Sequence, residues 1–173
     1  MASTGMDKSV FLNPGECCWG DHHTSIRTIL GSCVAVTLWH PGRRSGGMCH
    51  FLLPSTASLQ GSNSPRYASG AFSWLMAQIR DAGDDIHEYQ GKVFGGGNMF
   101  CAESDRVTQV GEQNIIAALD LMKHYGIPLT SRHTGGNQFR AIRFEIATGA
   151  VWVSSQTVNN MPGNRQNREE FRG

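Results

Sequence analysis

No stretch of this chain is apolar for long enough to span a bilayer, and the opening segment "MASTGMDKSVFLNPGECC" has no apolar core of the signal-peptide kind. Both absences point to a cytoplasmic protein. Neither sign of charge dominates: 15 Lys and Arg face 14 Asp and Glu, a net charge of +1. That balance offers no electrostatic footprint for nucleic acid or for an anionic membrane. The five cysteines are odd in number and are not spaced as a secreted disulfide framework, so free thiols in a reducing compartment are expected. "FGGGNMF" lacks the Gly-Lys-Ser/Thr ending of a phosphate loop, and no GxGxxG occurs. No internal repeat and no domain linker interrupts the chain.

What remains suits one domain. The 173 residues are enough to bury a real core, and 39% hydrophobic with 17% charged residues is an ordinary globular balance. Twenty-one glycines imply many sharp turns or close backbone approaches. Residues 1–10 read as a flexible lead, and the polar tail over 159–173 reads as mobile.

Local patterning then gives the elements. Ile29 to Trp39 reads as one strand containing Gly31, "HPGRRSGG" as a turn, and Met48 to Leu53 as a second strand. Ala68, Phe72, Leu75, Met76 and Ile79 share one face of a helix over 66–82 that Gly83 ends. Lys92 to Phe94 is a short strand. A second helix runs over 111–125, with Ile115, Ala118, Leu119 and Met122 inward and Gly126 at its end. Ile127 to Thr130 adds a strand, and 141–146 with 151–155 form a hairpin. The expectation is an α+β domain with mixed sheets in layers and flanking helices.

One stretch carries chemistry. In "TILGSCVAVTLWHPGRRSGGMCHFLLP" a cysteine follows a small-residue turn and a histidine lies seventeen positions on. By strand parity Cys33, Ala35 and Thr37 share a face, as do Met48, His50 and Leu52. If the bulkier sets face the core, Cys33 and His50 meet on the opposite face. A thiol near pKa ~8.5 is mostly protonated at neutral pH, and an imidazole in reach can take its proton. The nucleophile so formed attacks a carbonyl, and the histidine protonates a nitrogen leaving group. Gly31 allows a tight backbone, and the Cys33 amide can face a developing oxyanion. The competing explanation is plain packing, because buried cysteine is a common small core residue.

Other motifs read as structure. Cys49 faces the core by parity, and Cys101 packs, although it follows the glycine run closely enough to stand near the site. "ECCWGDHH" groups Cys17, Cys18, His22 and His23, but adjacent cysteines lack the Cys-x-x-Cys spacing of zinc sites. It reads as a surface segment before the first strand. The "GGG" and "TGGN" turns read as a site wall and a structural turn. Trp74 packs, or touches a partner if exposed.

"LGSCVAVTLWHP" with "GGMCHFLLP" closely resembles the chemoreceptor glutamine deamidase family, CheD. The likeness continues through "YASGAFSWLMAQI", "KVFGGGNMF", "VGEQNIIAAL", "HYGIPL" and "HTGGNQFRAIRFEIATGAVWV", over roughly 26–153. The resemblance implies a protein-glutamine glutaminase that converts glutamines of methyl-accepting chemotaxis receptors to glutamate. It implies a fold related to bacterial toxin deamidases and no metal or organic cofactor. The family's catalytic cysteine falls on Cys33 and its histidine on His50. Its third residue, a threonine upstream of the Gly-Ser-Cys turn, falls on Thr28, with Arg27 one register away and a backbone carbonyl as the other way to orient the imidazole. The same acyl-enzyme would serve methyl-ester hydrolysis. The resemblance also implies a CheC-type phosphatase partner, and hence a rival role as a non-catalytic adaptor between receptor and phosphatase.

Overall fold

From Thr24 to Leu30 every second side chain is buried, and the intervening ones are not. The same alternation runs from Gln138 to Glu145. Strands of this kind have one face on a core and one open to water. By contrast, Val34 to Leu38 is buried without a break, the pattern of a strand covered on both sides. These two patterns define the layers. The computed structural model describes residues 7–55, 63–99, 109–158 and 168–173.

The outer sheet contains β1 (Lys8–Phe11), β3 (Thr24–Leu30), β8 (Gln138–Glu145), β9 (Ala150–Thr157) and β10 (Arg168–Arg172), side by side in that order. Only the β1–β3 pairing is parallel. The central sheet has the order β2 (Cys17–Gly20), β5 (Ser45–Phe51), β4 (Val34–His40), β6 (Gln90–Gly95) and β7 (Leu129–Thr134), with β6–β7 parallel. Helices α1 (Ala68–Ala82) and α2 (Gln109–Tyr125) pack on the central sheet. Each is followed by a glycine in the left-handed region, Gly83 at φ 73° and Gly126 at φ 71°.

Two cores follow. Val34, Val36, Cys49 and Phe51 meet Phe72 and Leu75 of α1 between the helices and the central sheet. Ala35, Met48 and Phe94 meet Ile26, Leu30, Ile142 and Phe144 between the two sheets. Each large apolar side chain so buried contributes roughly 1.5–3 kcal/mol. The molecule is thus α+β: a helical layer, the central sheet, and the outer sheet, whose far face is uncovered by any described element.

Several expectations need correction. The strand expected over 29–39 is two strands in different sheets, because the chain turns at Gly31–Cys33 and crosses from the outer sheet to the central one. Residues 8–11 and 168–172, expected to be part of a loose lead and tail, are edge strands of the outer sheet. "CCWG" is a strand paired with β5, not a surface lead-in. Cys17 packs towards the helical core and Cys18 towards the inter-sheet core, so they cannot share a tetrahedral ion. Trp74 packs against the helical core. Cys101 lies outside the described residues.

Candidate active site

The crossing at Gly31–Cys33 gathers the site. Before it, β3 directs Thr28 inward with Ile26 and Leu30, while Arg27 points to the open face. After it, β4 begins, and Ala35 is the cross-strand partner of His50. Residues directly opposite in an antiparallel pair share a face, so His50 lies in the inter-sheet layer with Ala35. Cys33 precedes Ala35 by two residues and falls on the same face. Extending the register makes Cys33 the diagonal neighbour of His50, a placement that brings Cβ atoms within roughly 7 Å. The parity expectation therefore holds. The face they share is a second core, not open surface.

The imidazole is fixed from both ends. The His50 backbone N–H donates to the Glu16 carbonyl at 3.1 Å, and its carbonyl accepts from the Gly15 N–H at 2.8 Å. On the side chain, Nδ1 lies 2.7 Å from Thr28 Oγ1. The Thr28 hydroxyl has one proton, and it donates that proton to the Leu12 carbonyl at 2.8 Å. Thr28 Oγ1 must therefore accept from the His50 Nδ1–H. This chain of donors selects the tautomer with a bare Nε2. That Nε2 is buried and has no hydrogen-bond partner among the described residues. Thr28, not Arg27, faces the ring, and the orienting carbonyl acts one step further back, through Thr28.

Both titratable groups rest neutral. Burial lowers the His50 pKa to about 4, against a smaller upward pull from Glu16. Burial also raises the Cys33 thiol above its ordinary value, and its own backbone N–H pulls it partly back. Cys33 is half-buried and His50 is almost wholly buried. A thiol and an imidazole in these states do not exchange a proton until an electrophile arrives. Both groups being neutral, they form no standing ion pair.

Two further parts shape the turn. The glycine run wraps it: Gly96 N–H donates to the Cys33 carbonyl at 2.8 Å, and Gly97 N–H to the Gly31 carbonyl at 2.9 Å. Gly95 has φ 103°, and a Cβ there would sit 2.3 Å from the Cys33 carbonyl oxygen, so no larger residue fits. The "GGG" run thus packs directly on the turn that carries Cys33. On the other side, Asn114 of α2 donates to the Ser32 carbonyl at 3.0 Å and the Leu52 carbonyl at 2.8 Å. Those carbonyls lie just before Cys33 and two residues after His50, so one buried amide ties the two segments together. A trans peptide points its C=O and N–H in opposite directions. With the Ser32 carbonyl turned towards α2, the Cys33 N–H is turned away from it, beside its own sulfur.

Sequence reasoning missed both Asn114 and Leu12. Asn114 carried a signal, since it stands with Ala118 and Met122 on the inward stripe of α2 and all three are buried. Leu12 carried none, because a backbone carbonyl leaves no trace in sequence.

A family model described as CheD chemotactic sensory transduction matches residues 52–155. That span lies beyond Thr28, Cys33 and His50. The relatives reach further. A "Probable chemoreceptor glutamine deamidase CheD 3" of Dechloromonas aromatica is 40% identical over 150 residues, 84% of this chain and 86% of its own length. A "Probable chemoreceptor glutamine deamidase CheD" of Pseudomonas fluorescens is 42% identical over 151 residues, 86% of this chain and 85% of its own. Among solved structures, a hypothetical protein YfiH of Bacillus licheniformis superposes with a TM-score of 0.43 at 14% identity, covering 75% of this chain and 60% of its own. By model and relatives alike, the chain belongs to the CheD family.

Proposed function

We propose that this chain is a single CheD-like domain that deamidates glutamine side chains of chemotaxis receptors, with Cys33 as nucleophile, His50 as base and acid, and Thr28 as the group that orients it. The observation that carries the reading is the Leu12–Thr28–His50 relay, which leaves Nε2 unprotonated in the layer that also holds Cys33.

In the first step Nε2 takes the thiol proton as sulfur bonds to the carboxamide carbon. Charge develops on the carboxamide oxygen, and the Cys33 N–H is the donor placed to meet it. The imidazolium then returns its proton to the departing nitrogen, the C–N bond breaks, and ammonia leaves a thioester. Water loses a proton to Nε2, adds to the thioester carbon, and expels the sulfur, which regains its proton. The products are glutamate and free enzyme. Every proton passes through one nitrogen, which is why the tautomer matters.

The relatives' names supply the substrate class, and a fold related to the toxin deamidases is part of the same proposal. No helix among the described residues is long and apolar enough to cross a membrane, so a cytoplasmic enzyme meeting the cytoplasmic part of a receptor fits the proposal. The test is mass spectrometry of a receptor cytoplasmic fragment after incubation with the protein. An amide-to-acid change is expected with wild type and not with Cys33→Ala or His50→Ala. Turnover by Cys33→Ala at the wild-type rate would remove the nucleophile assignment. Binding without any mass change would instead leave an adaptor.

A further inference from the structure

Resting on the deamidase reading, we propose that the open face of the outer sheet is a docking surface for an acidic amphipathic helix of the protein substrate. The face is formed by the outward residues of β3, β8 and β9. Arg27 is the cross-strand partner of Arg143, and Arg143 of Trp152. Ile29 and Phe139 lie further towards the catalytic turn, 58% and 43% exposed. A shallow cavity of about 390 Å³ lies over Arg27, Ile29, Ala141, Arg143 and Trp152.

Three features fix the partner's chemistry. First, like charges directly opposite across a strand pair destabilise it. Glu145 offsets Arg143 at 3.1 Å, but Arg27 has no ion-pair partner among the described residues. A carboxylate arriving between the two guanidiniums relieves that repulsion. Second, the flanking side chains are large and apolar, so the partner must bring an apolar stripe beside its acids. Third, β3, β8 and β9 lie within the sheet, and their backbone groups are committed to neighbouring strands. An extended peptide laid on this face would find no backbone partners. A helix satisfies its own.

Position fixes the role. Phe139 Cε1 lies 3.4 Å from where a Cβ on Gly31 would stand, so the apolar patch runs up to the turn that carries Cys33. Arg27 lies six residues before Cys33, at most ~20 Å along an extended chain. A helix spans that distance in roughly 13 residues. A substrate helix with its glutamine at Cys33 would thus bring a carboxylate, at most about three to four turns away, to Arg27 and Arg143.

The test uses a folded receptor cytoplasmic fragment as probe. Wild type is compared with Arg27→Glu, Arg143→Glu and the double variant, by deamidation kinetics and by calorimetric binding. Expected is a rise in KM of about tenfold or more for the double variant, with kcat little changed, and a wild-type KM that rises with added salt. The rate of Cys33 alkylation by iodoacetamide should stay at the wild-type value in all three variants. An unchanged KM overturns the proposal. So does alkylation that falls in step with deamidation, because the damage is then to the catalytic turn. If wild type binds the fragment but never deamidates it, the deamidase reading fails, and arginine-dependent binding still supports the docking face. Arginine-dependent sedimentation with vesicles of phosphatidylcholine and phosphatidylglycerol, with fragment binding unaffected, assigns the face to lipid and overturns the proposal.

Discussion

Thr28 and His50 stand on different sheets, and their side chains meet at 2.7 Å across the layer between them. The contact joins two strands that share no ladder hydrogen bond. It sets the tautomer of a ring that is almost wholly buried in the resting protein.

Replacing Thr28 by valine keeps the shape and removes the relay. The His50 Nδ1–H loses its acceptor, which costs about 1–3 kcal/mol for a buried group and frees the ring to adopt the other tautomer. Deamidation should fall by roughly a hundredfold, the lower end of what acid–base catalysis supplies. Thr28→Ser keeps the hydroxyl and should recover most of the rate. Equal rates for the valine and serine variants would show that the hydroxyl does not matter.

Because Cys33 rests as a thiol, its reactivity should climb with pH. Burial holds its pKa above the ordinary thiol value, and His50, lowered to about 4, supplies no positive charge at neutral pH. Iodoacetamide alkylation of Cys33, followed by mass spectrometry, should therefore rise through pH 9 without an earlier plateau. A plateau reached near pH 6 would reveal a preformed thiolate–imidazolium pair and contradict the neutral resting state.

The same histidine makes the fold sensitive to acid. In the unfolded chain its imidazole titrates near the ordinary 6.5, and in the folded protein at about 4. Between those values the unfolded chain binds more protons, so acid favours unfolding. The stability that His50 confers is whole above pH 6.5, declines as pH falls, and is gone below 4. The loss is of order 3 kcal/mol by the usual conversion. Urea midpoints measured from pH 7.5 downward should fall more steeply for wild type than for His50→Gln. Identical slopes in the two proteins would contradict the buried neutral ring.

Asn114 offers a separate handle on the turn. Asn114→Asp, ionised, cannot donate to the Ser32 and Leu52 carbonyls, and Asn114→Ala leaves both without that donor. Each should lower stability by about 1–3 kcal/mol. If the clamp also aligns the Cys33 amide, kcat should drop more than KM changes, at temperatures where the variants remain folded. Wild-type kcat in folded Asn114→Ala would restrict the residue to stability.

Much of this is legible in the sequence. The two helices announce themselves because their apolar stripes are long and their final glycines have a clear purpose. The Cys33 and His50 parity could be read because side chains alternate rigidly along a strand. The change of sheet at Gly31 could not be seen, since only the short Gly31-Ser32-Cys33 turn separates the apolar Ile29 and Leu30 from Val34. Strands β1 and β10 were missed for a different reason. They are short, and Lys8, Ser9, Phe11 and Arg172 carry little of the alternation that marks a half-buried strand. The Thr28 relay was suggested by resemblance alone, because nothing local tells a threonine that its acceptor is sixteen residues upstream.

That acceptor belongs to Leu12, which follows the last residue of the edge strand β1. An edge ribbon, bonded on one side only, is the easiest part of a sheet to strip away. Whatever lifts it, whether a protease cut or the bulk of a fused neighbour, reaches the imidazole through just two hydrogen bonds. Under the proposed mechanism the amino-terminal ribbon is therefore a brace for the reaction as well as a hem for the sheet, and tags or trims placed there are expected to act on turnover.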